Sequence, residues 1–307
     1  MRSKPSFYFL YTRIVLLLCC PIPVVSQPNE DMRLGFGSVN WSPDGEKIAF
    51  TAIRVKKDWS DYNAEKWGLF VYEVNAKKMA KIDNGVIYAS FSPDGKKIAY
   101  DQNMAGHSEI FVYHSTDHSQ RNITNYPSKD FAPAWSPNGK RIAFNSDRDG
   151  TVGIYVMRED GTGITRITQS GGFKSYNPEW SPKDNNIVYY FEKGDNKDQI
   201  HLTDAVGSFH RNISNDENHN YFPGWAPDGK VIYTMGEDAI FTMNSDGTNK
   251  APITGIRGFY ARYLPKGQAV AYLNEPNQAI YLSKLVDGKV QDTTTLVNHD
   301  SLSAFLK

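Results

Sequence analysis

Four basic side chains recur along this sequence at one fixed distance before an aromatic residue. Lys129, Lys174, His219 and Arg257 each stand six residues before Trp135, Trp180, Trp225 or Tyr263, and Phe131, Tyr176, Tyr221 and Phe259 stand four residues before the same anchors. Cations bind carboxylates, and aromatic rings stack on apolar faces of ligands. If these positions share one end of the fold, they predict a site for a small anionic or sugar-like ligand, or for an acidic peptide. The alternative is ordinary surface charge above core aromatic rings.

Sequence motifs for catalysis and for metal binding give no stronger candidate for a functional site than this pattern. The sequence has no Gly-x-Ser-x-Gly nucleophile elbow, no His-Glu-x-x-His pair and no phosphate-binding loop. His114 and His118 have a spacing that suits a metal ion on a helix, but they fall at a strand end and a turn. Asp147 and Asp149 resemble the start of a calcium loop, yet they fit a plain turn better. We therefore expect no metal and no cofactor.

The elements that must position these residues form a repeat. Residues 135–168 contain four runs of β-branched and aromatic residues, separated by a Ser-Pro-Asn-Gly turn, an Asp-Arg-Asp-Gly loop and an Asp-Gly turn. The pattern recurs at spacings of about 40 to 50 residues, which is the length of a propeller blade. Its six copies start at Trp41, Phe91, Trp135, Trp180, Trp225 and Tyr263.

This repeat predicts an all-β chain, a six-bladed β-propeller whose blades are four-stranded antiparallel sheets. One such sheet cannot bury both faces alone, so the sheets pack radially around an axis and leave few exposed edges. Residues 27–307 then form a single propeller, although length alone would suggest two domains. The loops between second and third strands and the connections between blades leave the same end of this ring. The basic and aromatic positions would meet at the central funnel of that end.

The repeat resembles the TolB-type (WD40-like) propeller repeat. The resemblance rests on the elements aromatic-Ser-Pro-Asp-Gly-Lys-Lys-Ile-Ala-Phe, Ser-Asp-Arg-Asp-Gly, Ile-Tyr-Val-Met and Asp-Gly-Thr, and it covers roughly residues 35–297. It implies the propeller fold, which is found in periplasmic TolB and in prolyl-oligopeptidase relatives, but it does not specify a function. We expect neither the N-terminal α/β domain of TolB nor a C-terminal hydrolase domain, because 307 residues leave no room for them.

The resemblance and the motifs together favour a non-catalytic binding or scaffold module. The expected partner of this monomeric ring is an envelope or secreted protein, or a small anionic or sugar ligand. The alternative is a carbohydrate-active enzyme, a polysaccharide lyase or glycan hydrolase, with its active site in the same funnel. Asp130 and Glu179 are the carboxylates that could serve it as acid and base. An exposed aromatic patch on the loop end would favour the module, and a convergent polar cluster would favour the enzyme.

The first 26 residues have the features of an export signal. Positive charges precede an apolar run, residues 14–25, and side chains of small or modest size end at Ser26. The run is too short and too interrupted by proline to span a membrane, so we expect an exported, periplasmic or secreted protein. Both cysteines, Cys19 and Cys20, lie in this segment. Lipoprotein anchoring at one of them is less favoured, because no small residue precedes either as a lipobox requires.

The charge balance argues against binding to nucleic acid. The formal net charge is zero, and no long run of like charge follows the predicted export signal. Binding to nucleic acid or to an anionic membrane surface would need a basic surface.

One insertion departs from the repeat. Blade 1 has residues 54–66 between its second and third strands, where the other blades have short loops. Long loops on compact scaffolds are often functional, which makes Trp59 and Tyr62 candidate partner-binding residues. The alternative is that both rings pack on the edge of the blade.

Overall fold

The computed structural model describes residues 32–104, 106–169, 172–195, 197–303 and 305–306. The predicted export signal, residues 1–26, lies outside the described residues. Six sheets of four antiparallel strands form a ring, so the predicted six-bladed propeller is confirmed. Within these ranges, helix is limited to a 3₁₀ turn, Ala64–Lys66, and to α1, His299–Leu302.

Every blade has its four strands in chain order. Blade 1 consists of β1 (Met32–Trp41), β2 (Lys47–Lys56), β3 (Gly68–Glu73) and β4 (Lys78–Asn84), and blade 2 of β5 (Ala89–Phe91), β6 (Lys97–Met104), β7 (His107–His114) and β8 (Gln120–Asn122). Blade 3 consists of β9 (Asp130–Trp135), β10 (Arg141–Ser146), β11 (Gly153–Arg158) and β12 (Thr165–Arg166), and blade 4 of β13 (Lys174–Trp180), β14 (Asn186–Glu192), β15 (Gln199–Asp204) and β16 (His210–Asn212). Blade 5 consists of β17 (Asn220–Trp225), β18 (Val231–Met235), β19 (Ala239–Met243) and β20 (Ala251–Arg257), and blade 6 of β21 (Phe259–Tyr263), β22 (Ala269–Asn274), β23 (Ala279–Val286) and β24 (Lys289–Val297).

The first strands of the blades form the inner wall of the ring. Each contacts the first strand of the next blade, and β1 contacts β21, which closes the circle. In β9, β13, β17 and β21 a β-bulge interrupts the pairing, and one residue of each bulge has a positive φ between 50° and 53°. A bulge leaves a residue unpaired and bends the strand. Because the bulge recurs at equivalent positions, the residues just before it occupy equivalent places in the four blades.

The ring has two unlike ends. We call the end with the second-to-third-strand loops and the connections between blades the loop face, and the opposite end the turn face. The turn face repeats one motif, in which the Ser42 hydroxyl donates to Oδ1 of Asp44 at 2.5 Å and accepts from the Lys47 amide at 2.9 Å. Ser92 and Ser136 make the same pair of hydrogen bonds in the next two blades. Gly45 supplies the positive φ of 75° that closes the turn.

Blades 1 and 6 are joined without exchange of a strand. Arg33 pairs with Glu275 at 2.6 Å, and the Leu34 amide donates to Oε1 of Gln278 at 2.6 Å. After β24 the chain turns through α1 and buries Leu302 in the core that spans both blades. In the described part of the chain, no helix is long and apolar enough to cross a membrane.

Candidate functional site

The structure places all four basic positions of the predicted arc on the loop face. Lys129 and His219 directly precede inner strands β9 and β17, Lys174 begins β13, and Arg257 ends β20 just before β21. The arc therefore follows the rim of the ring through blades 3 to 6. Whatever binds at this rim meets side chains from four consecutive blades.

The charges of this arc are largely matched by neighbours. Nζ of Lys174 lies 3.3 Å from Oε2 of Glu192, and Nη1 of Arg257 lies 2.6 Å from Oδ1 of Asp238. Burial lowers the pKa of His219 to about 4, so this ring is neutral at pH 7 and adds no positive charge. Lys129 is exposed and makes no ion pair with a described residue. The rim consequently offers less positive charge than the sequence pattern suggests.

The aromatic positions pack into a closed circuit of rings, which we call the aromatic belt. Its members are Tyr88, Phe131, Tyr176, Tyr190, Phe222 and Tyr260, with centroids of successive rings 5.2 to 6.5 Å apart. Tyr221 and Phe259 border the belt through Phe222, at 4.8 and 6.1 Å. Except for Tyr190, which lies in β14, the belt residues lie in or just before the inner strands of blades 2 to 6. These rings thus have a packing role in the fold.

The insertion of blade 1 lies against its own blade. A Cβ on Gly35 would stand 2.7 Å from the Trp59 ring, so this glycine makes room for the indole. The Arg33 guanidinium lies 5.2 Å from the Trp59 ring centroid, and the Tyr62 ring lies 6.1 Å away on the same loop. Both rings pack against a small cluster that includes Ile53. The insertion therefore packs against the first two strands of its own blade, and partner binding by Trp59 and Tyr62 stays a prediction.

Three apolar side chains that the sequence analysis did not single out are exposed on the loop face. Met104, Tyr126 and Phe173 have 40%, 49% and 60% of their surface exposed. We call them the apolar patch. They lie at the end of β6, in the connection between blades 2 and 3, and in the connection between blades 3 and 4. The three side chains therefore lie along the loop face of blades 2 to 4, and the two aromatic ones lie in the segments of the chain that lead to Lys129 and Lys174.

The two aromatic rings of the patch are held in place by their neighbours. Phe173 packs on Phe191, with ring centroids 5.1 Å apart. The Arg148 guanidinium lies 5.2 Å from the Tyr126 centroid and also pairs with the buried Asp130 at 2.8 Å. Burial raises the pKa of Asp130, while its hydrogen bonds and the Arg148 charge oppose the rise. Both rings thus stand exposed on a fixed support.

Asp130 and Glu179 do not form the acid–base pair considered from the sequence. Asp130 begins β9 at the loop face, whereas Glu179 is the last residue but one of β13 and lies at the turn face. The two carboxylates therefore lie at opposite ends of the ring and cannot share one funnel. Among the described residues, no group of three or more His, Cys, Asp or Glu side chains could hold a metal ion.

Comparison with known proteins agrees with this architecture. The family model of the TolB beta propeller domain matches residues 36–263. The chain belongs to this family. A search of curated proteins found no match to the sequence.

Solved structures similar to this TolB-type propeller share its fold. A provisionally assigned TolB from Agrobacterium tumefaciens is 24% identical with a TM-score of 0.62, over 76% of this chain and 87% of that chain. TolB from Acinetobacter baumannii is 17% identical with a TM-score of 0.60, over 84% of this chain and 61% of that chain. An oligogalacturonate lyase in complex with manganese is 12% identical with a TM-score of 0.59, over 88% of this chain and 79% of that chain. Identities this low establish the fold alone.

The residues of the apolar patch in this TolB-type propeller do not occupy equivalent positions of the repeat, so aligning the repeats does not reveal them. Tyr126 stands nine residues before Trp135, and Phe173 stands seven residues before Trp180. The signal that could have found them is their departure from the repeat. Loops on a rigid scaffold often carry binding residues, so aromatic side chains in these connections are candidates for recognition.

Proposed function

We propose that this chain is an exported, non-catalytic binding module that docks a protein partner on its loop face. The observation that carries the proposal is the apolar patch of Met104, Tyr126 and Phe173, with Phe173 60% exposed. Exposed aromatic side chains at the centre of an interface often carry most of the binding energy. The N-terminal sequence pattern supports export to the periplasm or beyond the cell.

The contacts that hold Tyr126 and Phe173 in place suit these two rings to binding a partner. Phe191 holds Phe173 and Arg148 holds Tyr126, so each ring loses little freedom when a partner covers it. Lys129 stands beside the patch as an exposed charge. A partner surface with apolar pockets and acidic groups around them complements this arrangement.

The other candidate functions have weaker support in the geometry. A small anionic ligand would need the charges of Lys174 and Arg257, and Glu192 and Asp238 already neutralise them. A glycan hydrolase site in the funnel would need a free carboxylate, and Asp130 is bound to Arg148 and to the Ser128 hydroxyl. The likeness to a lyase rests on the fold at 12% identity. Docking of a protein partner therefore agrees best with the contacts.

Site-specific photocrosslinking tests the docking face. A photoreactive phenylalanine analogue is placed at position 126 or 173 on the loop face, and at position 206 or 209 as a matched control. Val206 and Phe209 are also exposed, 72% and 39%, but they lie at the turn-face end of blade 4. Irradiation of the producing cells should give one protein adduct from positions 126 and 173 alone. Adducts from positions 206 and 209, or none from the loop face, would contradict the proposal.

A further inference from the structure

A second depression lies at the turn face. It is a cavity of about 290 Å³, lined by residues at the ends of the inner strands of blades 1, 4, 5 and 6. The apolar lining comes from the aromatic anchors of these blades and from three prolines of the turns that follow, and the polar lining consists of Asn40, Glu179 and Arg262. Its size is just below the ~300 Å³ at which small-molecule pockets begin, so a ligand of monosaccharide size would fit it.

An ion pair between blades forms one wall of this cavity. Nη2 of Arg262 in blade 6 lies 2.7 Å from Oε1 of Glu179 in blade 4. The guanidinium passes across blade 5 beside Gly224, where a Cβ would stand only 3.0 Å from Nη1. Arg262 also lies 4.1 Å from the centroid of the Tyr260 ring in the aromatic belt. The pair therefore contacts the aromatic belt through the Tyr260 ring.

The ion pair between Glu179 and Arg262 is not a feature of every blade. Glu179, Gly224 and Arg262 each stand directly before the aromatic anchor of their blade. The same position holds Ser90 in blade 2 and Ala134 in blade 3. Two opposite charges with a glycine between them are thus particular to the side of the ring that forms the cavity. This difference between equivalent positions points to a site rather than to the needs of the fold.

The polar groups of the cavity determine what it can hold. Glu179 is partly exposed while Arg262 is almost fully buried, and their charges cancel. A carboxylate oxygen accepts hydrogen bonds, and the side-chain amide of Asn40 can donate them, because its oxygen already accepts from the Phe91 amide. The half-buried rings of Trp225 and Tyr263 complete the lining. A suitable ligand is therefore uncharged, carries several hydroxyl groups and has an apolar face.

We propose that the turn-face cavity binds one neutral sugar residue. The hydroxyl groups of a sugar both donate and accept, and its ring has a C–H face that packs on aromatic side chains. Because the charges of Arg262 and Glu179 match each other, the cavity offers an ionic ligand no net charge of opposite sign. The inference is independent of the proposed docking function, because the two sites lie at opposite ends of the ring.

Titration of the wild-type protein locates the ligand without any substitution. The six tryptophans each give one indole N–H resonance in a ¹⁵N-correlated NMR spectrum. The probes are the methyl glycosides of glucose, galactose and N-acetylglucosamine. At least one of them should shift the Trp225 resonance in a saturable manner. Trp135, an anchor outside the cavity, and Trp59 on the loop face should not move.

The variant Glu179→Gln tests the class of ligand. Glutamine keeps the shape of the side chain and can still accept from Arg262, but it leaves the positive charge unmatched. We expect the affinity for the neutral glycoside to fall at least tenfold and binding of galacturonate or glucuronate to appear. Glu159→Gln is the matched control, because Glu159 forms an ion pair between blades on the turn face with Lys97, at 2.8 Å, outside the cavity. It should change neither affinity.

Three results would overturn the assignment. They are a Trp225 resonance that none of the neutral glycosides shifts, a wild-type protein that prefers a uronate or a quaternary ammonium compound, and a Glu179→Gln variant that binds the glycosides as the wild type does. Crosslinking from the loop face would be unaffected by any of them. Failure of this site and failure of the docking proposal are therefore distinguishable.

Discussion

In blades 3 to 5, the glycines of the turn face and those of the loops between second and third strands differ in how closely neighbouring atoms approach them. On the turn face, Gly161 packs so closely on the preceding blade that a Cβ would collide with the carbonyl oxygen of Ile123, and Gly207 and Gly247 meet Ile167 and Ile213 in the same way. On the loop face, a Cβ added to Gly150, Gly194 or Gly236 would have nothing within 4 Å. In these three blades the turns between third and fourth strands are thus packed against the preceding blade. The loops between second and third strands have room for larger side chains, and such loops often carry recognition residues.

The largest expected effect compares two glycines with equal backbone conformation. Gly161 and Gly150 have φ of 87° and 86°, so alanine strains the backbone equally at both. Gly161→Ala adds a collision with the preceding blade and should lower the free energy of unfolding by about 4 kcal/mol, from strain plus overpacking. Gly150→Ala should cost about 1 kcal/mol, from strain alone. Urea unfolding measures both. Equal losses would mean that the turn-face contacts do not hold the ring.

A smaller effect separates a buried ion pair from an exposed one on the turn face. Glu179→Ala leaves the nearly buried Arg262 unpaired and should lower stability by about 3 kcal/mol. Glu159→Ala removes a partly exposed partner of Lys97 and should cost less than about 1 kcal/mol. Thermal and urea unfolding of both variants test this. Similar values would show that the pair in the cavity contributes no more than surface charge.

The third prediction concerns the pH dependence of stability that His219 on the loop face produces. Burial lowers the pKa of His219 to about 4, although Oδ2 of Asp198 lies 3.6 Å from its Nδ1. The unfolded chain binds a proton at this histidine more readily than the folded protein does, so protonation favours unfolding. The free energy of unfolding is therefore unaffected above about pH 6.5 and decreases as the pH falls from there towards 4. At pH 5 the loss should be about 2 kcal/mol. His219→Asn should remove this part of the pH dependence, and an unchanged profile would contradict the assignment.

The smallest effect belongs to the repeated turns. Ser136→Ala removes the hydroxyl that accepts from the Arg141 amide at 2.9 Å and should lower stability by about 1 kcal/mol. The equivalent changes at Ser42 and Ser92 should add to it, because the turns belong to separate blades. A triple variant that loses less than a single one would refute the independence of these turns.

The propeller could be predicted because its physical causes are local and repeated. Aromatic anchors, proline turns and β-branched runs recur in every blade, so each copy supports the others. The loop-face position of Lys129, Lys174, His219 and Arg257 followed from strand direction alone. Their charge state did not, because the ion pairs with Glu192 at the end of β14 and with Asp238 between β18 and β19 depend on side-chain placement, and the burial of His219 depends on tertiary packing.

The apolar patch and the turn-face cavity could not be predicted by searching for repeats. Phe173 and Tyr126 are informative because they depart from the register, and a register search discards such residues. The pairing of Glu179 with Arg262 joins positions 83 residues apart across an intervening blade. The signal in the sequence was two opposite charges at one repeat position with Gly224 between them. Its meaning depends on how the ring closes.

The most direct test of the account is the affinity of the crosslinked partner for three purified proteins. They are the wild type, Phe173→Ser on the loop face and Phe209→Ser on the turn face, each measured by calorimetry. The account predicts at least a tenfold loss of affinity for Phe173→Ser and less than a twofold change for Phe209→Ser. The opposite ranking, or equal affinities for all three proteins, would contradict recognition through the loop face.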